Sequence, residues 1–277
     1  MKSKIWFITG ISSGLGRALT EADIDKGDYV IGTFRRHDQA SEFNRQYDRR
    51  ALGLTLDVTE HSEVERIFED VRNRYGKIDV LVNNAGYGMA GAVEETSIEE
   101  TREILETNFI SPLKITQTFL PLFRQQKKGH IIQISSHGGV KAMSGFGIYN
   151  ASKFALEGFS EALAQEISPL GIKLTIIEPG PFRTNFAGTS FRLAKLNITE
   201  YQETAGVFKQ KIKIADGKQE GDPAKAANAI ARVTEMENPP LRLMLGKVAL
   251  LSIRSKIESV SNDLENCKEV AESVVFA

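Results

Sequence analysis

Cysteine is nearly absent from this chain: Cys267 is the only one in 277 residues. That excludes an internal disulfide and a thiolate-held metal, and it points to a reducing compartment, the cytoplasm. Histidine is also scarce. His37, His61, His130 and His137 are scattered, with no His-Glu-x-x-His pairing, so no metal is expected. No apolar run approaches the roughly 20 residues that span a bilayer, so no transmembrane segment is expected. A net charge of −1 gives no broad electrostatic pull toward nucleic acid or an anionic membrane. Residues 1–10, MKSKIWFITG, run straight into a glycine turn and read as a first strand rather than a signal peptide. At 41% hydrophobic and 26% charged, the composition suits one globular α/β domain over residues 1–277.

The concentrated chemistry lies in residues 135–153, SSHGGVKAMSGFGIYNASK. The run after it carries Phe154, Leu156, Phe159, Leu163 and Ile167 at helical spacing, which predicts an amphipathic helix. Tyr149 and Lys153, four residues apart near its start, then share a face, about 6 Å apart along the axis. A neighbouring ammonium favours the phenolate and brings a phenol, with its ordinary pKa of about 10, toward acid–base work. Alone, the pair also fits a surface aromatic beside a solvated lysine.

The rest of the chain supplies context. Residues 4–9 form a buried strand, followed by Gly10, Gly14 and Gly16 and a helix ending at Gly27. Such a turn is either an ordinary strand-to-helix junction or a phosphate cradle, where glycine lets the backbone approach and the helix N-terminus offers free N–H groups. Its spacing is GxxxGxG rather than GxGxxG. A strand at 29–34 ends in Arg35 and Arg36 with no acid, which for a dinucleotide favours the 2′-phosphate of NADP over the 2′-hydroxyl of NAD, Arg35 first and Arg36 second. Strands at 51–57, 78–82, 130–135 and 172–177 follow, with a helix at 60–74 and a long one at 97–126 disturbed by Pro112. The Asn83-Asn84 pair at a strand end either braces the fold or meets a ribose. Alternating strands and helices predict a single doubly wound Rossmann-type domain, a parallel sheet of about seven strands with helices on both faces. Ligands of such sheets sit at the carboxyl ends of the strands, where Gly10–Gly16, Arg35, Asp57, Asn84, Ser136 and Pro179 fall.

Residues 182–222 hold Phe182, Phe186 and Phe191 with a helix only near 200–213, and read as a substrate lid. Asp222-Pro223 looks like a helix cap with proline at the first turn, 241–245 like a seventh strand, and 247–277 like an amphipathic helical extension.

These motifs resemble the short-chain dehydrogenase/reductase family over residues 4–250. The matching segments are T-G-I-S-S-G-L-G at 9–16, D-V-T at 57–59, N-N-A-G at 83–86, Asn108, I-S-S at 134–136, Y-N-A-S-K at 149–153 and P-G-P-F-R-T at 179–184. Within the family, the chain is most similar to the branch that includes 17β-hydroxysteroid and retinol dehydrogenases. The resemblance implies a hydride exchange between NADP(H) and a carbonyl or alcohol, with Tyr149 as proton donor, Ser136 orienting the oxygen, Lys153 tuning Tyr149 and holding the nicotinamide ribose, and Asn108 binding a relay water. It implies cofactor contacts from Gly10, Ser12, Ser13, Gly14, Leu15, Gly16, Asp57, Val58, Asn84, Ala85, Gly86, Pro179, Gly180, Phe182 and Thr184. An apolar substrate pocket would be shaped by His137, Met143, Phe146, Phe186 and Phe191, with His137 alternatively facing solvent. A homodimer or homotetramer is implied. The competing expectations are an NAD-linked alcohol dehydrogenase and a binding protein that senses NADP(H) without turnover.

Overall fold

The computed structural model describes residues 3–188 and 190–276. Met1, Lys2, Thr189 and Ala277, which fall within the expected domain, lid and tail, lie outside the described residues. The elements run β1 (Ile5–Ile8), α1 (Gly14–Asp25), β2 (Tyr29–Phe34), α2 (His37–Tyr47), β3 (Ala51–Thr55), α3 (His61–Tyr75), β4 (Val80–Asn83), β5 (Gly88–Ala90), α4 (Ile98–Leu105), α5 (Ser111–Gln126), β6 (Gly129–Ile134), α6 (Gly147–Ile167), β7 (Ile172–Pro179), β8 (Phe191–Leu193), α7 (Val207–Ala215), α8 (Pro223–Val233), β9 (Arg242–Leu245) and α9 (Lys247–Ser273).

The main sheet has seven parallel strands in the order β3-β2-β1-β4-β6-β7-β9. The order reverses between β1 and β4, and that switch point opens a crevice at the carboxyl ends. Both faces are covered. Phe7, Ile31, Leu81, Phe119, Phe123 and Ile131 pack one layer, and Trp6, Ile8, Val30, Phe43, Val82 and Ile132 the other. Because strands buried on both sides need apolar residues on both, these strands read as continuous hydrophobic runs.

Helix ends follow the residues predicted for them. Asp222 accepts from the backbone N–H of Ala224 and Lys225, and Pro223 sits in the first turn of α8. The disturbance before Pro112 is a single turn of π-helix over Glu106–Ile110, closed by the Ser111 N–H on the Glu106 carbonyl. Pro112 has no N–H to offer the carbonyl of Asn108, so the ladder widens there and Asn108 sits fully buried in the bulge. A two-stranded parallel pairing of β5 with β8 is a departure from the expected pattern. Three-residue strands are too short for their alternation to be read from sequence. Among the described residues, no helix is long and apolar enough to cross a membrane.

Candidate functional site

Strand β6 delivers Ser136 two residues past its end, and the first two turns of α6 present Tyr149 and Lys153 on one inward face. All three are buried, with Tyr149 only 3% exposed. Gly138 lies between them: a Cβ there would stand 3.3 Å from Ser136 Oγ and 3.5 Å from the Tyr149 ring. Ser136 Oγ accepts the Gly138 N–H at 3.0 Å. Burial pushes the Tyr149 phenol up to about 12, and a hydrogen bond with Ser136 acts the other way. Burial pulls the Lys153 ammonium down to about 8, opposed by the charge of Glu157. Lys153 is not among the causes of the Tyr149 shift. Burial penalises the phenolate more than any neighbour relieves it, and Lys153 Nζ donates to the Ile134 carbonyl at 2.8 Å.

Asn108 Oδ1 accepts from the Tyr87 N–H, and its Nδ2 donates to the Tyr87 carbonyl and to Ser152 Oγ. A Cβ on Gly86 would sit 3.0 Å from Asn108 Oδ1 and 3.8 Å from Lys153 Nζ. The bare backbone of Gly86 therefore leaves a small polar space between the two.

The glycine turn is braced from β4. Asn84 Nδ2 donates to the carbonyls of Thr9 and Gly10, and Thr9 Oγ1 accepts from the N–H groups of Asn84 and Ala85. Asn83 is tied to Thr116. Both side chains brace the fold. A Cβ on Gly16 would meet Asn84 Nδ2 at 2.3 Å, and one on Gly10 the Ala85 Cα at 2.9 Å. Ser13 occupies the N-cap of α1 without a side-chain cap, and the first turn holds no acid. Its N–H groups are left for a ligand, with Ser12 exposed and Leu15 half-buried beside them. This arrangement fits the phosphates of a dinucleotide. Arg35 is exposed and has no partner among the described residues, whereas Arg36 is folded onto Asp38.

Other predicted cofactor positions line the same edge. Asp57 is exposed and turned back onto Thr59, while the Val58 side chain belongs to the core. Thr184 lies beside the turn, its Cβ 3.5 Å from where a Gly14 side chain would begin. Pro179 ends β7, the Gly180 N–H donates to the Leu245 carbonyl, and the Phe182 ring packs on Gly221.

Above Tyr149 lies an aromatic cluster. Phe146 stacks on its ring at 4.1 Å, Phe186 meets it edge-on at 5.8 Å, and Phe191 and Met143 pack alongside. His137 is half-buried, and its Nδ1 approaches Ser252 Oγ of α9 at 3.4 Å, because α9 folds back over that loop.

Several residues went unnoticed in the sequence. Phe208 of α7 joins the cluster 4.9 Å from Phe146. Buried Glu95 accepts from Lys209 Nζ at 2.6 Å and from the Ile198 N–H, and Glu100 accepts from the Lys195 N–H. These carboxylates hold segment 182–222 down. Buried Glu157 shares the Arg242 guanidinium with Glu178. Its spacing of four after Lys153 was the available signal; a long-range partner of Glu95 has no signal in the local pattern.

Comparison with known proteins agrees with this geometry. The family description "short chain dehydrogenase" matches residues 4–194. Oxidoreductase BOA17 of Botryotinia fuckeliana is 37% identical, covering 97% of this chain and 98% of that protein. A 3-ketodihydrosphingosine reductase of Bacteroides thetaiotaomicron is 35% identical, covering 92% and 93%. The crystal structure of a short-chain dehydrogenase from Streptomyces avermitilis superposes with a TM-score of 0.92 at 40% identity, over 99% of this chain and all of that one. The chain belongs to the short-chain dehydrogenase/reductase family, oxidoreductases that act on alcohol and carbonyl groups with NAD or NADP.

Proposed function

We propose that the protein is an NADP(H)-dependent reductase of a hydrophobic ketone or aldehyde, running as an alcohol dehydrogenase in reverse. The observation that carries this is the placing of buried Ser136 and Tyr149 on either side of Gly138, a Cβ there standing 3.3 Å from Ser136 Oγ and 3.5 Å from the Tyr149 ring, beneath an aromatic cluster at the carboxyl edge of the sheet. NADPH, when bound, supplies a hydride to the carbonyl carbon. Tyr149, held protonated by burial, gives its proton to the developing oxyanion while Ser136 fixes that oxygen. Lys153 holds positive charge nearby and the nicotinamide ribose hydroxyls. The polar space at Gly86, between Asn108 Oδ1 and Lys153 Nζ, suits a water that returns the proton. Segment 182–222 acts as a lid that excludes water.

NADP is favoured over NAD by Arg35, exposed and unpaired where the 2′-phosphate falls in such sheets, with Arg36 engaged by Asp38. Pocket aromatics, and a relative whose name is that of a ketone reductase, support an apolar ketone.

The test is a cofactor-oxidation screen across aldehydes, ketones, quinones and steroids with NADPH and NADH in parallel. We expect turnover with an apolar carbonyl and a higher kcat/KM with NADPH. Arg35→Asp should move that preference toward NADH; an unchanged ratio refutes the phosphate assignment. Tight NADPH binding with no turnover on any substrate would instead mark a sensing protein.

A further inference from the structure

Residues 135–146 join β6 to α6, and Ser136 opens the short 3-10 turn His137–Gly139 within that connection. A serine hydroxyl has one proton to give and two lone pairs to accept with. The Gly138 N–H takes one lone pair of Ser136 Oγ at 3.0 Å. That bond sets which way the oxygen faces and leaves its proton and second lone pair for Tyr149 and a reacting oxygen. Where Ser136 points therefore depends on what holds Gly138.

The holder is Asn150, the residue after Tyr149 in α6, which is only 1% exposed. Its Nδ2 donates to the Gly138 carbonyl at 2.8 Å, and its Oδ1 accepts the Met143 N–H at 3.0 Å. One partner accepts and the other donates, so the two together settle which way the amide is turned. Successive helix residues point about 100° apart, so Tyr149 and Asn150 reach Gly138 from different sides. A Cβ on Gly138 would stand 3.5 Å from the Tyr149 ring and 2.7 Å from Asn150 Nδ2. Other backbone bonds of the loop run from Gly139 to the Ser136 carbonyl and from Val140 and Lys141 to the His137 carbonyl. These shape the turn without tying it to α6. Without the amide, the Gly138 carbonyl and the Met143 N–H would be left unpaired, which drives the loop to shift toward other partners.

We propose that Asn150 is a positioning residue for the reaction: it holds Gly138, Gly138 holds the Ser136 hydroxyl, and that hydroxyl holds the substrate oxygen. The proposal rests on the role given to Ser136 above. A hydroxyl free to rotate must be ordered at every turnover, whereas one already engaged by Gly138 is preorganised. The same amide has a second task. Its bond to Met143 keeps that residue against the cluster of Phe146 and Tyr149, so one side chain sets both the serine and a wall of the pocket.

The test is a double-mutant cycle on the full-length protein, with NADPH and 4-nitrobenzaldehyde as the probe carbonyl. Ser136→Ala should lower kcat by about 10²–10³-fold. Asn150→Ala should lower kcat by about 10–100-fold and raise KM, with NADPH binding unchanged. In the Ser136→Ala background the same substitution should lower kcat by less than about twofold, because residues that act as a unit are not additive. Asn150→Asp keeps the size and the acceptor for Met143 and replaces only the donor to Gly138. Its kcat should fall at unchanged KM. Below about pH 8, where the wild type is level, the loss should deepen as pH rises and the carboxyl gives up the proton that can stand in for the amide's. Hydrogen exchange is read without substrate, so it decides even where the probe is not reduced: the amides of residues 138–143 should exchange faster in Asn150→Ala. A full loss of kcat in the Ser136→Ala background, NADPH binding that falls along with kcat, or loop amides at the wild-type rate overturns the proposal and leaves the role of Ser136 standing. Undiminished turnover in Ser136→Ala overturns both.

Discussion

The two walls of the candidate site are held by different means. On the sheet side the groups are fixed by short, neutral hydrogen bonds among neighbouring strand ends: Asn84 to the Thr9 and Gly10 carbonyls, Thr9 to two backbone N–H groups, Asn108 to Tyr87 on both its faces. On the other side, segment 182–222 is held by carboxylates reaching from before and within α4: Glu95 to Lys209 and Ile198, Glu100 to Lys195. Arg192 adds an exposed pair with Glu103 and lies 4.3 Å over the Tyr87 ring. One wall is part of the fold's own hydrogen-bond ladder and cannot move without it. The other is docked by a few ionic contacts from side chains distant in sequence. Lesions in the sheet wall should therefore appear in chemistry and cofactor affinity, and lesions in the docked wall in substrate terms.

The sharpest test of that division is Tyr149→Phe. The ring and its stacking on Phe146 remain, and only the proton is lost, so turnover should fall by about 10²–10⁴-fold. NADPH binding, followed by fluorescence, should be nearly unchanged. Gly16→Ala comes next. Its Cβ would drive into Asn84 Nδ2 and dislodge the brace, with a loss of about 1–3 kcal/mol. The loss should appear as weaker NADPH binding in titration, with the substrate KM at saturating cofactor little altered. Lys209→Met is the mirror experiment. Removing the cation leaves Glu95 with its backbone donors alone and loosens the lid, so the substrate KM should rise by roughly tenfold, the order of a lost charged hydrogen bond. Cofactor affinity should hold. If Lys209→Met instead weakened NADPH binding as much as Gly16→Ala, the two walls would not be separable.

The smallest effect is in the pH profile. In the proposed reaction, reduction needs Tyr149 protonated and Lys153 charged. Tyr149 keeps its proton up to about 12, while Lys153 loses its charge as pH rises through about 8. The kcat/KM for reduction should stay level below about pH 8 and fall above it. Because Glu157 favours the charged lysine, Glu157→Gln should move that limb to lower pH. A limb that stays put in the variant would detach Glu157 from Lys153.

Much of this was legible in the primary structure, for local reasons. Strands buried on both faces announce themselves as apolar runs, glycines at the end of the first strand mark a tight turn, and an i, i+4 spacing alone puts Tyr149 and Lys153 on one helix face. The π-turn at Asn108 was half visible, because Pro112 locates a break without saying how the ladder will absorb it. What stayed hidden depends on who meets whom across long stretches of chain. Lys209 finds Glu95 over 114 residues, and three-residue strands β5 and β8 pair over about a hundred. His137 turns to Ser252 because α9 lies over its loop.

By itself, the order of residues determined the strand and helix sequence, the approach of Tyr149 to Lys153 on one helix face and the bare guanidinium at the end of β2, since each follows from neighbours a few positions apart. Tertiary structure alone decided which carboxylates dock segment 182–222, which asparagine braces the glycine turn, and how deeply the Tyr149 phenol is buried. Those outcomes depend on desolvation and on partners from distant segments, and neither exists until the chain has folded.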